Sequence, residues 1–419
     1  MPRKLMNFLL SAKGRDITTW RAAQDFASRY RQSVLDRAVS GDYGSAETVY
    51  AESLVALKAS TEADLTLMNQ LNNLLEKWAS NPPFFCIKEM SGEYYDVLYR
   101  HLDTFNSAYT FYKKSMDFLK MLCCAAMAHT TDQLGLFARY LPKMDLIALG
   151  TAGRCEYSPF DKLQLLLVHG ETTPAQIQTI NLFCHTLHSE IEACGLSLDP
   201  IISPRNPEWR GSIAIWEQRC KNCLSPASTD DLINVARLTD LYPLTPSGDV
   251  AQALKTLATG CLRATRPTQT ILIAKMESLS NGIGMMGGFK LERSGAERGL
   301  FNLRQHGLLP LSSALSALAL IKGSTAISSS DRILNLLERR ELDVDLAEKM
   351  LETWHYLHEL HLGNERGGLI AEQKEQSLFL NTEEMTTEQR QSLKTALISV
   401  NAIQRHVGIT LSGMGEHGP

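Results

Sequence analysis

Directly behind the apolar run Met144–Leu149 stands a turn bounded by glycines and carrying both charge signs: Gly150, Thr151, Gly153, Arg154 and Glu156. A glycine-rich turn between a strand and a helix lets backbone come close to a phosphate, while its amides and the helix N-terminus supply donors and a positive field. Thr151 adds a hydroxyl, and Arg154 a fork that suits either a phosphate or Glu156. Taken alone, such a turn is as often a plain strand-to-helix connection.

Other patterns carry less chemistry. Gly282, Gly284 and Gly287 fit G-x-G-x-x-G by letter but follow a helical stretch rather than a strand, which predicts a flexible inter-helix loop. Cys220 and Cys223 form a lone C-x-x-C without the second ligand pair that zinc needs, so they read as thiols at a helix end. His355, His358 and His361, with Glu352 and Glu359 nearby, have spacing compatible with a metal, but a partly solvated helix face is the expectation. His185 and His188 are read the same way, and the run from Glu338 to Asp343 as a solvated helix end.

The elements that must position the turn are legible from periodicity. At 419 residues, with 44% apolar and 21% charged residues, the chain has room for two or three domains. Its 42 basic and 46 acidic residues give a net charge of -4, which argues against a long basic groove for nucleic acid. Nine cysteines, an odd count without a dense framework, read as reduced thiols in a cytoplasmic protein. The first ten residues lack the length and cleavage site of a secretory leader, and no run reaches the ~18 apolar residues of a membrane span.

Helices are predicted from Thr18 or Thr19 to Gly41, from about Ser45, along Leu67, Leu71, Leu74 and Trp78, and after Ser91–Gly92 as one long helix through Leu98, Leu102, Phe105, Tyr109, Tyr112 and Met116. Strands are predicted at 144–149, 163–168, 198–203 and 232–239, with helices at 174–193 and around Trp209–Cys220 between them. Beyond Ser247 the pattern is helical over 248–262, 267–280, 296–305, 310–322, 330–340, 344–362 and 386–407. Thr386 and Gln389 stand at capping-box spacing, Gly408 at the expected stop, and a disordered tail follows.

The turn resembles the G-S-x-G-R-x-E signature of nucleotidyltransferases related to the protein-PII uridylyltransferases. More closely it is similar to the DUF294 type of bacterial signal-transduction nucleotidyltransferases. Asn206, Pro207, Trp209, Arg210 and Ser212 followed by Trp216 resemble that family's N-P-x-W-R-x-S-x-x-x-W element. The stretch Leu238–Leu241 with Gly248 and Asp249 is similar to its strand ending in F-F-D-L-R and the G-D beyond. Asn302, Arg304, Gly307, Leu308, Asp331 and Arg332 resemble its helical region. The likeness runs over about residues 94–407 in order. It does not reach the first 90 residues, where the cyclic-nucleotide and CBS modules common upstream in the family are absent.

The resemblance implies an α+β fold: a small nucleotidyltransferase sheet of the DNA polymerase β-like type over 141–245, N-terminal helices over 1–140, a substrate-binding helical bundle over 246–408 and a tail over 409–419. It implies phosphate binding at Gly150, Thr151, Gly153 and Arg154, supported by Glu156, Trp209 and Arg210. It also implies Mg2+ and a nucleoside triphosphate as cofactors of an active enzyme, because a D-x-D pair and a third aspartate hold two metal ions in that chemistry. Here the sequence departs from the pattern. Aligned without a gap, the D-x-D positions are Lys162 and Gln164, preceded by Asp161; Asp240 matches the third carboxylate, and Tyr242 replaces the arginine after it. Asp161 and Asp240 are thus the remaining candidates for catalysis and metal, and Lys162 stands where it would meet phosphate directly. The expected protein is a nucleotide-binding, catalytically impaired regulator with a nucleotide and a regulatory protein as partners, without membrane or nucleic acid. A working transferase and a ligand-free interaction scaffold are the alternatives.

Overall fold

The computed structural model describes residues 65–76, 87–105, 107–222, 234–245, 249–263, 279, 282–284, 287–370 and 378–413. The helices expected before residue 65, most of the one expected over 267–280, Cys223 and the end of the tail lie outside them. The fold is α+β. Helix α1 (65–76) buries Leu67 and Leu71 one turn apart. Helices α2 (Ile87–Phe105) and α3 (Ala108–Gln133) replace the single helix expected there, and α2 runs through Gly92 rather than starting after it. The break falls where Ser107 caps α3, its hydroxyl accepting from the Thr110 amide.

The sheet comprises β1 (Met144–Leu149), β2 (Gln164–His169), β3 (Arg210–Ser212) and β4 (Tyr242–Pro243), in the spatial order β3-β2-β1-β4. β1 runs antiparallel to both β2 and β4, while β2 and β3 are parallel. Alternation along each strand splits the side chains between two cores. Leu146, Ala148, Leu165 and Leu167 join a large core with α2, α3, the capped helix α4 (Pro174–Ala193) and the C-terminal helices. Ile147, Leu149, Leu166 and Val168 face Trp209 and Trp216 together with Leu254 and Leu262 of α6 (Asp249–Arg263). Burial on both faces explains why β1 and β2 read as continuous apolar runs.

Three sequence expectations are corrected here. Residues 234–237 form a helical turn, not a strand, and β4 begins only at Tyr242. Residues 200–203 are bends, with Leu198 alone bridging Leu163. The amphipathic helix expected around Trp209 starts at Ile213 (α5, Ile213–Asn222), because Arg210–Ser212 is drawn onto the edge of β2.

The C-terminal region contains α7 (Leu309–Lys322), α8 (Ser329–Glu338), α9 (Val344–Ile370) and α10 (Thr387–Gly413). Thr386 and Gln389 form the reciprocal capping box that their spacing predicts. Helix α10 passes through Gly408, so that glycine is not a stop. Instead of a helix over 296–305, the chain makes a strand pair, β5 (Phe301–Asn302) with β6 (Phe379–Leu380), and then a π-helical turn, Arg304–Leu308. Around the glycine motif, Gly284 N–H donates to Gly288 O at 2.8 Å and Lys290 N–H to Gly282 O at 2.8 Å, while residues 285 and 286 lie outside the described residues. No helix among the described residues is long and apolar enough to cross a membrane.

Candidate functional site

At the end of β1 the backbone changes hand: Leu149 is extended and Gly150 lies at φ +62°, a conformation that costs glycine nothing. One helical turn follows, Gly150–Gly153, closed by Arg154 N–H to Gly150 O at 3.0 Å and Glu156 N–H to Thr151 O at 2.8 Å. Because β4 pairs with the same end of β1, Asp240, two residues before it, is brought against this turn. The approach is close enough that a Cβ on Gly153 would lie 2.1 Å from the Asp240 carbonyl oxygen.

Four charges close on one another here. Arg154 Nε reaches Glu156 Oε2 at 2.9 Å and its Nη1 reaches Asp240 Oδ2 at 3.2 Å. From α8, Arg332 Nη2 meets Asp240 Oδ1 at 2.7 Å, while its other nitrogens donate to the Ser316 hydroxyl and the Ala326 carbonyl. The Ser316 hydroxyl of α7 donates onward to Asp240, and the Trp354 indole of α9 to Glu156 Oε1 at 3.0 Å. Two guanidiniums against two carboxylates leave no net charge. Burial alone pushes the Asp240 carboxyl up, but Arg332 and Arg154 outweigh it and hold Asp240 below the usual carboxylate range. Glu156 is likewise lowered, burial being overcome chiefly by Arg154.

Beside this quartet a small cavity of about 50 Å³ separates the turn from the C-terminal helices. Thr151, Arg154 and Asp161 line it from one side, Arg304, Ser312 and His361 from the other. Asp161 is buried and accepts from the Ser158 amide at 3.2 Å. Burial raises its pKa, against the pull of Arg304, that amide and the Thr151 hydroxyl. Behind it Glu365 accepts from Ser158 Oγ at 2.6 Å and Tyr99 Oη at 3.1 Å and lies 3.2 Å from His361 Nε2. Burial first, and Asp161 second, push the Glu365 carboxyl well above its ordinary range. Burial depresses His358 to about 4 and His361 to about 3, so both imidazoles are neutral near pH 7.

The histidine trio is therefore no solvated face, since His355, His358 and His361 are all buried. Helix α9 presents Trp354, His358, His361 and Glu365 at intervals of four, three and four residues to α3 and the Gly150 turn, with Tyr112 Oη 2.9 Å from His358 Nδ1. That one stripe was open to reading from the sequence.

The expected site residues divide. Gly150, Thr151, Gly153, Arg154, Glu156 and Asp240 cluster, and Asp161 lines the cavity beside them. Lys162 is exposed and does not line the cavity. Gln164 packs beside Gly150 and donates to Asp199 Oδ2 at 2.9 Å. Trp209 is buried in the core on the opposite face of the sheet, and Arg210 donates to the Pro204 carbonyl and to Asn181 Oδ1. Arg332, Ser316, Trp354 and Glu365 are the members that motif reading did not assign to the site. The donor set does not fit the magnesium implied by the resemblance. Asp240 is already bound by two guanidiniums and a hydroxyl, and the strand positions carry an ammonium and an amide. Among the described residues no three His, Cys, Asp or Glu side chains are grouped to share a cation.

Glu365 gives the site a measurable pH signature. A carboxyl whose pKa is raised on folding keeps its proton while the unfolded chain, near pKa 4.3, loses it, so its contribution to stability falls as pH rises. Glu365→Gln does not titrate. In urea unfolding, the variant's stability relative to the wild type should climb by up to about 1.4 kcal/mol per pH unit above pH ~4.3. Parallel curves for the two proteins would mean that Glu365 is ionised in the fold.

Comparison with known families gives two matches. Residues 113–230 match the model described as "Putative nucleotidyltransferase DUF294", and residues 269–410 match "Putative nucleotidyltransferase substrate binding domain". The first holds the Gly150 turn and Asp161, the second Arg304, Ser316, Arg332 and α9. No curated protein matches the chain.

Proposed function

Because the chain belongs to the DUF294 nucleotidyltransferase family, we propose that it keeps the family's phosphate-cradling turn as a nucleotide-binding element and has lost metal-dependent transfer. One observation carries this reading: Asp240, the match to the third carboxylate of the expected metal set, is saturated by Arg154, Arg332 and Ser316. Divalent metals catalyse nucleotidyl transfer by bridging the triphosphate and neutralising the leaving group. A carboxylate whose lone pairs already serve two guanidiniums would have to break both ion pairs to take part.

In this reading the chain's own residues bind rather than react. The Gly150–Gly153 turn offers amides, and Thr151 its hydroxyl, to a phosphate, while Arg154 is held in place by Glu156. The protein then acts as a regulator in bacterial signalling, reporting nucleotide to a regulatory protein. Cytoplasmic residence agrees with free thiols at Cys123, Cys124, Cys155, Cys184, Cys194, Cys220 and Cys261.

Isothermal titration of nucleoside triphosphates, with and without Mg2+, tests the proposal. Binding should change little on adding the metal, and no pyrophosphate should form. Pyrophosphate release abolished by Asp161→Ala would establish a working transferase instead. If no nucleotide raises the melting temperature, the chain is an interaction scaffold.

A further inference from the structure

The cavity beside the turn has a chemistry of its own. Arg154 and Arg332, the guanidiniums nearest the turn, are consumed by Glu156 and Asp240. Arg304 is different: it lines the cavity and is exposed, and among the described residues no carboxylate lies within ion-pair distance of it. It opens the π-helical turn Arg304–Leu308, a backbone irregularity that proteins tend to retain where a side chain must be aimed at a functional site. On the same wall sit Leu308, Leu309 and Leu378. Deeper in, His361 is only 3% exposed and its Nδ1 finds no hydrogen-bond partner among the described residues. Buried polar atoms of this kind are normally satisfied, and His361 belongs to the cavity lining.

These features select a ligand class. A guanidinium with its donors unspent matches the two oxygens of a carboxylate in a paired fork. The three leucines suit a short apolar body, and a space of about 50 Å³ holds only a few water-sized groups. Asp161 lines the same cavity, which disfavours a second negative charge and hence a phosphate dianion. We infer that this cavity binds a small monocarboxylic acid, its carboxylate clasped by Arg304 at the rim. The site shares Thr151 and Arg154 with the nucleotide reading and goes beyond it in ligand class, which rests on Arg304.

Isothermal titration of the full chain with acetate, butyrate and hexanoate tests this, with inorganic phosphate and a nucleoside triphosphate as separate arms. Saturable binding of at least one monocarboxylate is expected. It should weaken about tenfold or more in Arg304→Ala and less in Arg304→Lys, and be unchanged in Arg298→Ala, another exposed arginine. Arg304 is exposed, so its replacement leaves the fold intact, to be checked by circular dichroism. Absence of monocarboxylate binding, binding within about twofold of wild type in Arg304→Ala, or preference for phosphate would each overturn the inference. Carboxylate binding without nucleotide binding keeps this site and removes the nucleotide reading; nucleotide binding without carboxylate binding does the reverse.

Discussion

Asp240→Ala should destabilise the protein by about 3–5 kcal/mol, the cost of breaking a buried ion pair by removing one partner. The variant leaves Arg332, 3% exposed at its side chain, and half of Arg154 facing each other with only Glu156 to neutralise them. It also removes the acceptor of the Ser316 hydroxyl, which is itself held by Arg332. The sign of the effect separates two roles for this position. In an acidic cluster built for a metal, carboxylates repel one another when the ion is absent, so neutralising one would relieve strain and raise stability. Here the aspartate joins the end of β1 to α7 and α8, and its loss should loosen the sheet from the C-terminal helices. Urea unfolding of the purified variant, with and without Mg2+, decides: a stability at or above wild type would mean that the carboxylate is not the clasp described. The pH dependence follows from the same contacts. Asp240 and Glu156 have pKa values lowered on folding, so their contribution is present above the ordinary carboxylate range and lost as pH falls through their folded values.

Why the sequence announced the turn but not the clasp has a physical explanation. β1 and β2 are buried on both faces, and the apolar runs at 146–149 and 165–168 report that directly. Helix α4 carries its start in its own sequence, since Thr173 and Gln176 exchange hydrogen bonds around Pro174. By contrast β3 and β4 span three and two residues, too few for alternation to show, and exist because a neighbouring strand offers unpaired backbone. The partners of Asp240 are invisible for a related reason. Ser316 lies 76 positions downstream, and nothing local to it tells a serine facing a carboxylate from one facing solvent. Histidine is ambiguous in the same way, being at home in water and, when neutral, in a core. Only the shared helical stripe with Trp354 distinguishes the buried face of α9 from the solvated one expected.

Gly153→Ala should be the more damaging of the two glycine substitutions in the turn, costing more than about 3 kcal/mol. The added methyl would sit 2.1 Å from the Asp240 carbonyl oxygen, 2.9 Å from its carbonyl carbon and 3.1 Å from the Ala148 carbonyl oxygen. All three are backbone, and none can rotate away; the sheet end and the Asp240 segment would have to part, pulling Asp240 out of reach of Arg154. Gly150→Ala meets a softer obstacle. Its Cβ would approach Gln164 Oε1 at 2.6 Å, the far end of a side chain that can swing aside by giving up its hydrogen bond to Asp199. What remains is the left-handed conformation at φ +62°, worth about 1–2 kcal/mol for an L-residue. A reading based on ligand approach alone would rank the first glycine highest, because it opens the phosphate-facing turn. Packing reverses that order. Comparing the unfolding midpoints of both variants tests it, and a Gly153→Ala protein as stable as Gly150→Ala would show that the turn and the Asp240 segment are not in contact.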